Sequence, residues 1–535
     1  MPRPRYVPPT PIPLEQRGGS VMWTSRGEAS PEGAYHMALN LLPLNPDNPE
    51  SPLLQRMGLQ PTGTAGVVTG TVKTAGVLLS GTGQETEWIL ATTGLWVGGV
   101  NVVTAANFAT AGCANLLHAT EPIYWCVFAN TIVFNLDLTN VNPAFTIEPV
   151  QWSGANGAAS LTKLLNAGLC YGRPTVRSAK LFFIRFTERD TIVWSEENDA
   201  TTGYDAGGFS NIWVLAQTGT APLFALQGTN DGLYYFRARS TGVIRGEVNT
   251  DFVTASTHDA VSQTIGTTTP EGVTYANGAI WFTDQNGAPN VLPNGGYPRQ
   301  VLPEDGTTAA GAMADPLGIV SLGIDRTRTS GARPVAVPPL PWAPYEMVWY
   351  NFASSTAPGG CVVLVCHATS AKPLGWIVPG GDTGAILCMT QHNGVTGPAL
   401  VKTTFSMFTA GYVADKSEGG TVVSTELLVI GRPLGATDWT ESRYGKVALR
   451  LGGDASWLLE ANLSTSRDPA ASIAHLVLEA PSPSDGRRVA IFSRSGRWVR
   501  PLFRARITGT STNTRLAIDG WAVLAAPCAA GVEAA

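Results

Sequence analysis

The sequence predicts an all-β chain: a β-propeller-like domain with an extended N-terminal arm and a C-terminal β-sandwich. Three observations predict it. Charged residues make up only 14% of the 535, against about 25% in ordinary soluble proteins. Gly (59) and Pro (38) are abundant, which favours tight turns. Short apolar runs are separated throughout by Gly, Asn, Asp and Thr, the punctuation of strands. Long amphipathic helices need many charged residues on the wet face, and here Thr, Ser, Gly and Asn take their place. No Gly-x-Gly-x-x-Gly crossover or regular βαβ alternation occurs, which argues against an α/β fold.

The arm comes first. Pro2, Pro4, Pro8, Pro9, Pro11 and Pro13 exclude a helix or a central strand over that stretch, and the segment reads as extended chain. Such an arm is either a loose terminus or a strap across a neighbouring subunit. Ala38-Leu39-Asn40-Leu41-Leu42-Pro43 and Leu53-Leu54-Gln55-Arg56-Met57-Gly58-Leu59 add a few apolar anchors. The arm is expected to span 1–61.

From residue 62 the unit is a strand, a tight turn and an aromatic-rich strand. Ile123 to Phe128 and Thr131 to Phe134 turn at Ala129-Asn130. Lys180 to Phe186 and Thr191 to Ser195 form a similar pair, joined by Glu188-Arg189-Asp190. Asn230-Asp231-Gly232 precedes Leu233 to Phe236. The run Val273 to Asp284 holds Asn277-Gly278, the strongest short hairpin signal, and Asp284-Gln285-Asn286-Gly287 turns again. The markers Trp88, Trp125, Phe182, Tyr234 and Trp281 are 37, 57, 52 and 47 residues apart, bracketing the roughly 40–50 residues of a four-stranded blade. A large β-sandwich is the alternative. The propeller-like domain is expected to span 62–435. A Pro-rich linker or crossover is expected near 326–346, around Arg333 to Pro344. Strands from Lys446 to Leu524 are assigned to a C-terminal sandwich over 436–535.

The seven cysteines, Cys113, Cys126, Cys170, Cys361, Cys366, Cys388 and Cys528, are odd in number and irregular in spacing. This argues against a disulfide framework and for buried thiols made in a reducing cytoplasm. Met1-Pro2-Arg3-Pro4-Arg5 is followed by no apolar signal region, and no apolar run approaches about 18 residues. Release by lysis or within a particle is therefore expected over signal-led export.

Candidate chemistry is sparse. Cys361-x4-Cys366-His367 places its thiols on opposite faces of a strand, so no metal site is assigned. No Gly-x-Ser-x-Gly is present, and His36, His118, His258, His367, His392 and His475 are scattered. Glycan cleavage needs two facing carboxylates. The densest acidic stretch, Glu188, Asp190, Glu196, Glu197, Asp199 and Asp205, reads as turn residues on a blade edge or as an acidic channel wall. Arg237-Ala238-Arg239 beside Tyr234, Tyr235 and Phe236, and Arg494 to Arg500 around Trp498, interleave basic with aromatic residues. At a net charge of −5 they read as subunit contacts or solvated loop charges. No catalytic, cofactor-binding or metal-binding residue is assigned, no cofactor is expected, and the chain is read as a non-enzyme.

Several runs resemble the tail nozzle and packaged-DNA-stabilisation (tail hub) proteins of short-tailed bacteriophages. They are Trp194-Ser195 through Thr241-Gly242, Pro270 to Asp284, Asn40-Leu41-Leu42-Pro43 with Leu54-x-Arg56-x-Gly58-Leu59, and Arg500 to Trp521. Together they cover about half the chain. The resemblance implies a structural virion protein in the tail, made in the host bacterial cytoplasm. It implies a ring of six copies below the portal that retains the genome and then conducts it. The implied partners are other copies of the chain, a phage adaptor or head-to-tail connector, tail fibres or needle, and double-stranded DNA passing non-specifically through the lumen. A weakly acidic chain with few charges suits passage, because each basic phosphate contact adds affinity, and heterologous interfaces close into rings. The alternative is a host-glycan-binding tail protein or polysaccharide depolymerase.

Overall fold

The computed structural model describes residues 38–378 at side-chain level with short gaps and one long one, 302–333; outside that span it describes strand segments only. The chain is all-β, with a six-bladed β-propeller arrangement. Six antiparallel sheets follow one another. Blade 1 is Val72–Leu79, Glu85–Ala91, Gly94–Val97 and Val100–Thr104. Blade 2 is Ile123–Phe128, Thr131–Leu136, Val150–Trp152 and Leu161–Lys163. Blade 3 is Cys170–Arg177, Lys180–Arg185, Thr191–Glu196 and Asp199–Gly203, with Ile212–Val214 paired to its third strand. Blade 4 is Leu223–Gly228, Leu233–Arg237, Thr241–Arg245 and Thr257–Ser262. Blade 5 is Val273–Ala276, Ala279–Thr283, Pro289–Pro293 and Arg299–Gln300. Blade 6 is Pro334–Val337, Met347–Ala353, Cys361–His367 and Pro373–Ile377. From blade 1 to blade 6, each first strand packs against the first strand of the following blade, so these strands line the axis. A further four-stranded sheet, Ile386–Thr390, Ala399–Lys402, Met407–Thr409 and Gln60–Pro61, lays its first two strands against the first strand of blade 1.

The hairpins explain the register. Ala129-Asn130 (φ 46° and 60°) and Asn277-Gly278 (φ 47° and 72°) both turn through the left-handed region. Two such residues match the right-handed twist of the flanking strands. Ser178-Ala179 turns the same way (φ 50° and 56°) with no glycine. Asp284 is buried, and its Oδ1 accepts from the backbone N–H groups of Asn286 (2.8 Å) and Ala288 (2.9 Å). That side chain holds its own turn.

The apolar faces meet between blades. Trp88 and Trp125 cross edge-to-face at 5.0 Å in the core between blades 1 and 2. Phe182 and Trp194 stack at 5.9 Å in the core between blades 3 and 4. Phe236 and Phe282 pack at 5.2 Å between blades 4 and 5. The marker spacing acquires a reason. Trp88, Phe182, Tyr234 and Trp281 lie on second strands, whereas Trp125 lies on a first strand. The second-strand aromatic of blade 2 is Phe134, 46 residues after Trp88 and 48 before Phe182.

Part of the Pro-rich stretch is strand. Pro334–Val337 is the first strand of blade 6, paired with Met347 to Tyr350, and Leu340 bridges Ala343. A first strand pairs on one side only, so the missing Pro334 N–H leaves the ladder intact. Residues 326–333 lie outside the described residues.

The arm is threaded through two sheets of its own chain. Met37–Leu39 lies between the last strand of blade 6 and Glu426–Ile430. Leu41–Pro43 pairs with Leu53–Gln55, which pairs with Ala517–Pro527; Pro11–Arg17 pairs with that last strand too. The strands after residue 435 form two groups. Ser442–Gly452 joins Arg487–Gly496 and Ala517–Pro527, while Trp498–Ile507 joins Trp457–Ser464 and Glu426–Ile430. Backbone pairing thus ties the arm, blade 6 and the last hundred residues together.

Candidate functional site

Where blades meet, this charge-poor chain places arginines against backbone carbonyls. Arg173, on the first strand of blade 3, donates through Nη1 to the Val273 carbonyl (3.1 Å) on the first strand of blade 5. Its Nε reaches the Trp125 carbonyl (3.4 Å) on the first strand of blade 2. One side chain therefore spans from blade 3 to both sides of the axis. Arg189, in the turn after the second strand of blade 3, stacks 3.6 Å above Tyr171 and 4.6 Å from Phe224. It also donates to the Leu223 carbonyl (3.0 Å). Arg177 is buried and donates to the carbonyls of Gly246 (2.6 Å) and Ile244 (3.5 Å) in blade 4. Arg237, also buried, donates to the carbonyls of Leu215 (2.7 Å) and Ala221.

Each guanidinium offers five donors in a rigid fork. It fits rows of orphan carbonyls at strand ends, and hydrogen bonds to an ionised partner are stronger than neutral ones. Burial lowers the Arg177 pKa, partly offset by the Asp231 carboxylate.

Arg237 corrects the sequence reading. It is a buried seam contact, not a solvated loop charge, while Arg239 is exposed. The side chains from Arg494 to Arg500 lie outside the described residues. The acidic stretch is divided between opposite ends of blade 3. Glu188 sits in the turn between the second and third strands, 3.8 Å from Arg185. Glu196 and Asp199 flank the turn between the third and fourth strands. Glu196 lies 3.9 Å from Lys180 and accepts from Asn211, and Asp199 is held by Thr201 and Thr202. Those hydrogen bonds hold the Asp199 carboxyl below its ordinary value. Turns at opposite ends of a meander cannot place these acids across one groove. The side chain of Asp205 lies outside the described residues.

At the start of blade 1, Lys73 donates to the His118 carbonyl (2.5 Å). Burial lowers its pKa to about 8, against the raising influence of Glu121. Cys113, Cys126, Cys170 and Cys366 are free and buried, and burial raises each thiol; Cys113 is pushed to about 11 and Cys126 to about 12. His367 bonds Ser370 Oγ (2.8 Å) and lies 3.8 Å from Asp47 of the arm. Cys361 belongs to the same strand, but its side chain lies outside the described residues. Among the described residues no three His, Cys, Asp or Glu side chains gather closely enough to hold a metal ion. No described helix is long and apolar enough to cross a membrane.

The arm carries a polar constellation of its own. Asn40 adopts φ 55°, and its Oδ1 accepts from Arg56 Nε (2.8 Å) and from the Val378 N–H (2.9 Å). Arg56 Nη2 donates to the Val378 carbonyl (2.9 Å). The Asn40 N–H donates to the Trp376 carbonyl (2.7 Å), and the Arg56 N–H to the Asn40 carbonyl (3.0 Å). Both residues are 1% exposed, so this buried cation is held by the arm and blade 6 together.

No protein-family model matches the chain, and no curated protein matches it. Among solved structures, it is similar to Hsv2 of Kluyveromyces lactis at 10% identity and TM-score 0.27, covering 58% of this chain and 75% of that one. It is similar to the WD40 domain of Neurospora crassa Pan2 at 8% identity and TM-score 0.36, covering 67% and 96%. It is similar to PorZ, a surface component of the type-IX secretion system of Porphyromonas gingivalis, at 10% identity and TM-score 0.35, covering 71% of this chain and 44% of PorZ.

Proposed function

We propose that this chain is a structural virion protein, a tail nozzle or hub subunit whose copies form a ring, six in number, that retains and then conducts a phage genome. It acts through shape and self-association on an adaptor or connector, with tail fibres or a needle as further neighbours. The observation that carries the reading is the Asn40–Arg56 constellation. The arm residues that resemble the nozzle family, Asn40-Leu41-Leu42-Pro43 and Arg56, are the ones buried against blade 6. An arm joined to the body by backbone pairing and a buried cation suits a part that carries mechanical load.

The reading also locates the conduit. Arg173 alone reaches from blade 3 to blades 2 and 5 across the axis. A duplex whose major groove alone is about 12 Å wide does not fit there. The lumen is therefore formed between copies, and each propeller is part of its wall. Cations engaged by carbonyls are withdrawn from phosphates, which keeps affinity for passing DNA low.

Electron microscopy of the purified chain, alone and mixed with adaptor, tests this. A six-membered annulus with a continuous central lumen is expected. A monomer that ignores the adaptor overturns the reading, and one that clears a polysaccharide favours the depolymerase.

A further inference from the structure

The sequence holds five Asn-Gly pairs: Asn156-Gly157, Asn277-Gly278, Asn286-Gly287, Asn294-Gly295 and Asn393-Gly394. The last lies outside the described residues. Asn-Gly is the dipeptide in which the following backbone nitrogen, unhindered by a side chain, most readily attacks the asparagine Cγ. The attacking nitrogen must first lose its proton. An N–H held in a hydrogen bond reacts only when the segment opens locally.

By that criterion the four described pairs differ. Gly157 donates its N–H to the Val102 carbonyl (2.9 Å), and Gly287 to the Asp284 carbonyl (3.0 Å). Asn277 has its side-chain amide held by Thr369 Oγ1 (2.9 Å) and its backbone locked in a left-handed hairpin turn. Asn294-Gly295 has neither restraint. It caps the turn between the third and fourth strands of blade 5, closed by Gly296 N–H to the Pro293 carbonyl (2.9 Å). Asn294 and Gly295 are both exposed, and neither the Asn294 side chain nor the Gly295 N–H makes a hydrogen bond.

We propose that Asn294-Gly295 is a spontaneous modification site at which Asn294 deamidates in the folded protein. The Gly295 nitrogen gives its proton to hydroxide and bonds to Asn294 Cγ. The Cγ–Nδ2 bond breaks, and ammonia leaves with a proton from water. Water then opens the cyclic imide at either carbonyl, giving aspartate or isoaspartate. No electrons are transferred. The product places a new negative charge beside Tyr297, which is 79% exposed, and near the exposed Arg299.

The test is peptide mapping by mass spectrometry after incubating the full chain at mildly alkaline pH, folded and in denaturant. In the folded chain, conversion at Asn294 is expected to run at least about tenfold ahead of Asn156 and Asn286, whose glycine N–H groups need local opening. In denaturant the sites should converge. An acidic variant on ion exchange should accumulate faster from the wild type than from Asn294→Gln. Equal folded-state rates at the three sites, or an intact Asn294 where the denatured control converts, would overturn the proposal.

Discussion

Asn40 Oδ1 accepts from Arg56 Nε at 2.8 Å while its backbone sits at φ 55°. One asparagine thus supplies both the acceptor for a buried guanidinium and a left-handed bend, a conformation Asn tolerates better than most residues. The same oxygen takes the Val378 N–H, so a single side chain joins both halves of the arm to the end of blade 6.

Asn40→Gly separates those two roles. Glycine keeps the bend and removes the acceptor, leaving the Arg56 Nε and Val378 N–H without this partner. A loss of about 2 kcal/mol is expected, since unsatisfied buried donors of this kind cost about 1–3 kcal/mol. Chemical denaturation measures it, and an unchanged midpoint would show that the acceptor is dispensable.

Arg173→Met removes the cation that spans the axis and keeps its aliphatic stem. Two carbonyls on blades 2 and 5 lose their donor. The expected loss is about 1–3 kcal/mol, with faster amide exchange along Ile123–Phe128 and Val273–Ala276. Exchange confined to blade 3 would contradict the cross-axis role.

Gly76 faces the tryptophan pair. A Cβ placed there would lie 2.5 Å from Trp88 and 2.6 Å from Trp125. Gly76→Ala must push apart rings already in edge-to-face contact, and overpacking of this kind costs about 1–3 kcal/mol. Thermal unfolding should register the loss, and crystallography should show the two indoles displaced.

Alkaline pH acts on the fold in two directions. Lys73 has its pKa lowered from 10.5 to about 8. From pH 8 to 10.5 the folded chain has shed a proton that the unfolded chain still carries, so this group raises stability as pH rises. Cys113 and Cys126 have theirs raised from 9.0 to about 11 and 12. From pH 9 to those values the unfolded chain sheds protons that the folded chain keeps, so stability falls. Cys170 and Cys366 act in the same sense. Urea midpoints should decline above about pH 9, and Lys73→Met should remove the opposing rise while sparing the decline.

Much of the fold was legible because strand pattern and turn chemistry are local. Asn277-Gly278 and Ala129-Asn130 marked hairpins that the structure contains. The aromatic markers fell on buried strands, with Trp125 one strand out of phase because a first-strand indole fills the same inter-blade core as second-strand rings. Ser178-Ala179 gave no such notice. Its turn is imposed by the pairing of Val176 with Leu181 on either side. Arg173 and Arg177 were visible only as rare charges inside a strand, a signal that marks them as engaged without saying by what.

Composition, turn residues and apolar alternation by themselves determined that this chain is of the all-β class, because those preferences act within a few residues of one another. The tertiary structure alone decided that Arg56 meets Asn40 and Val378, that Arg173 crosses to blades 2 and 5, and that the acids of blade 3 point to opposite ends. Those contacts join residues up to 322 positions apart. Such carbonyls are placed by the closing of the blades around an axis, and no local preference records where they will be.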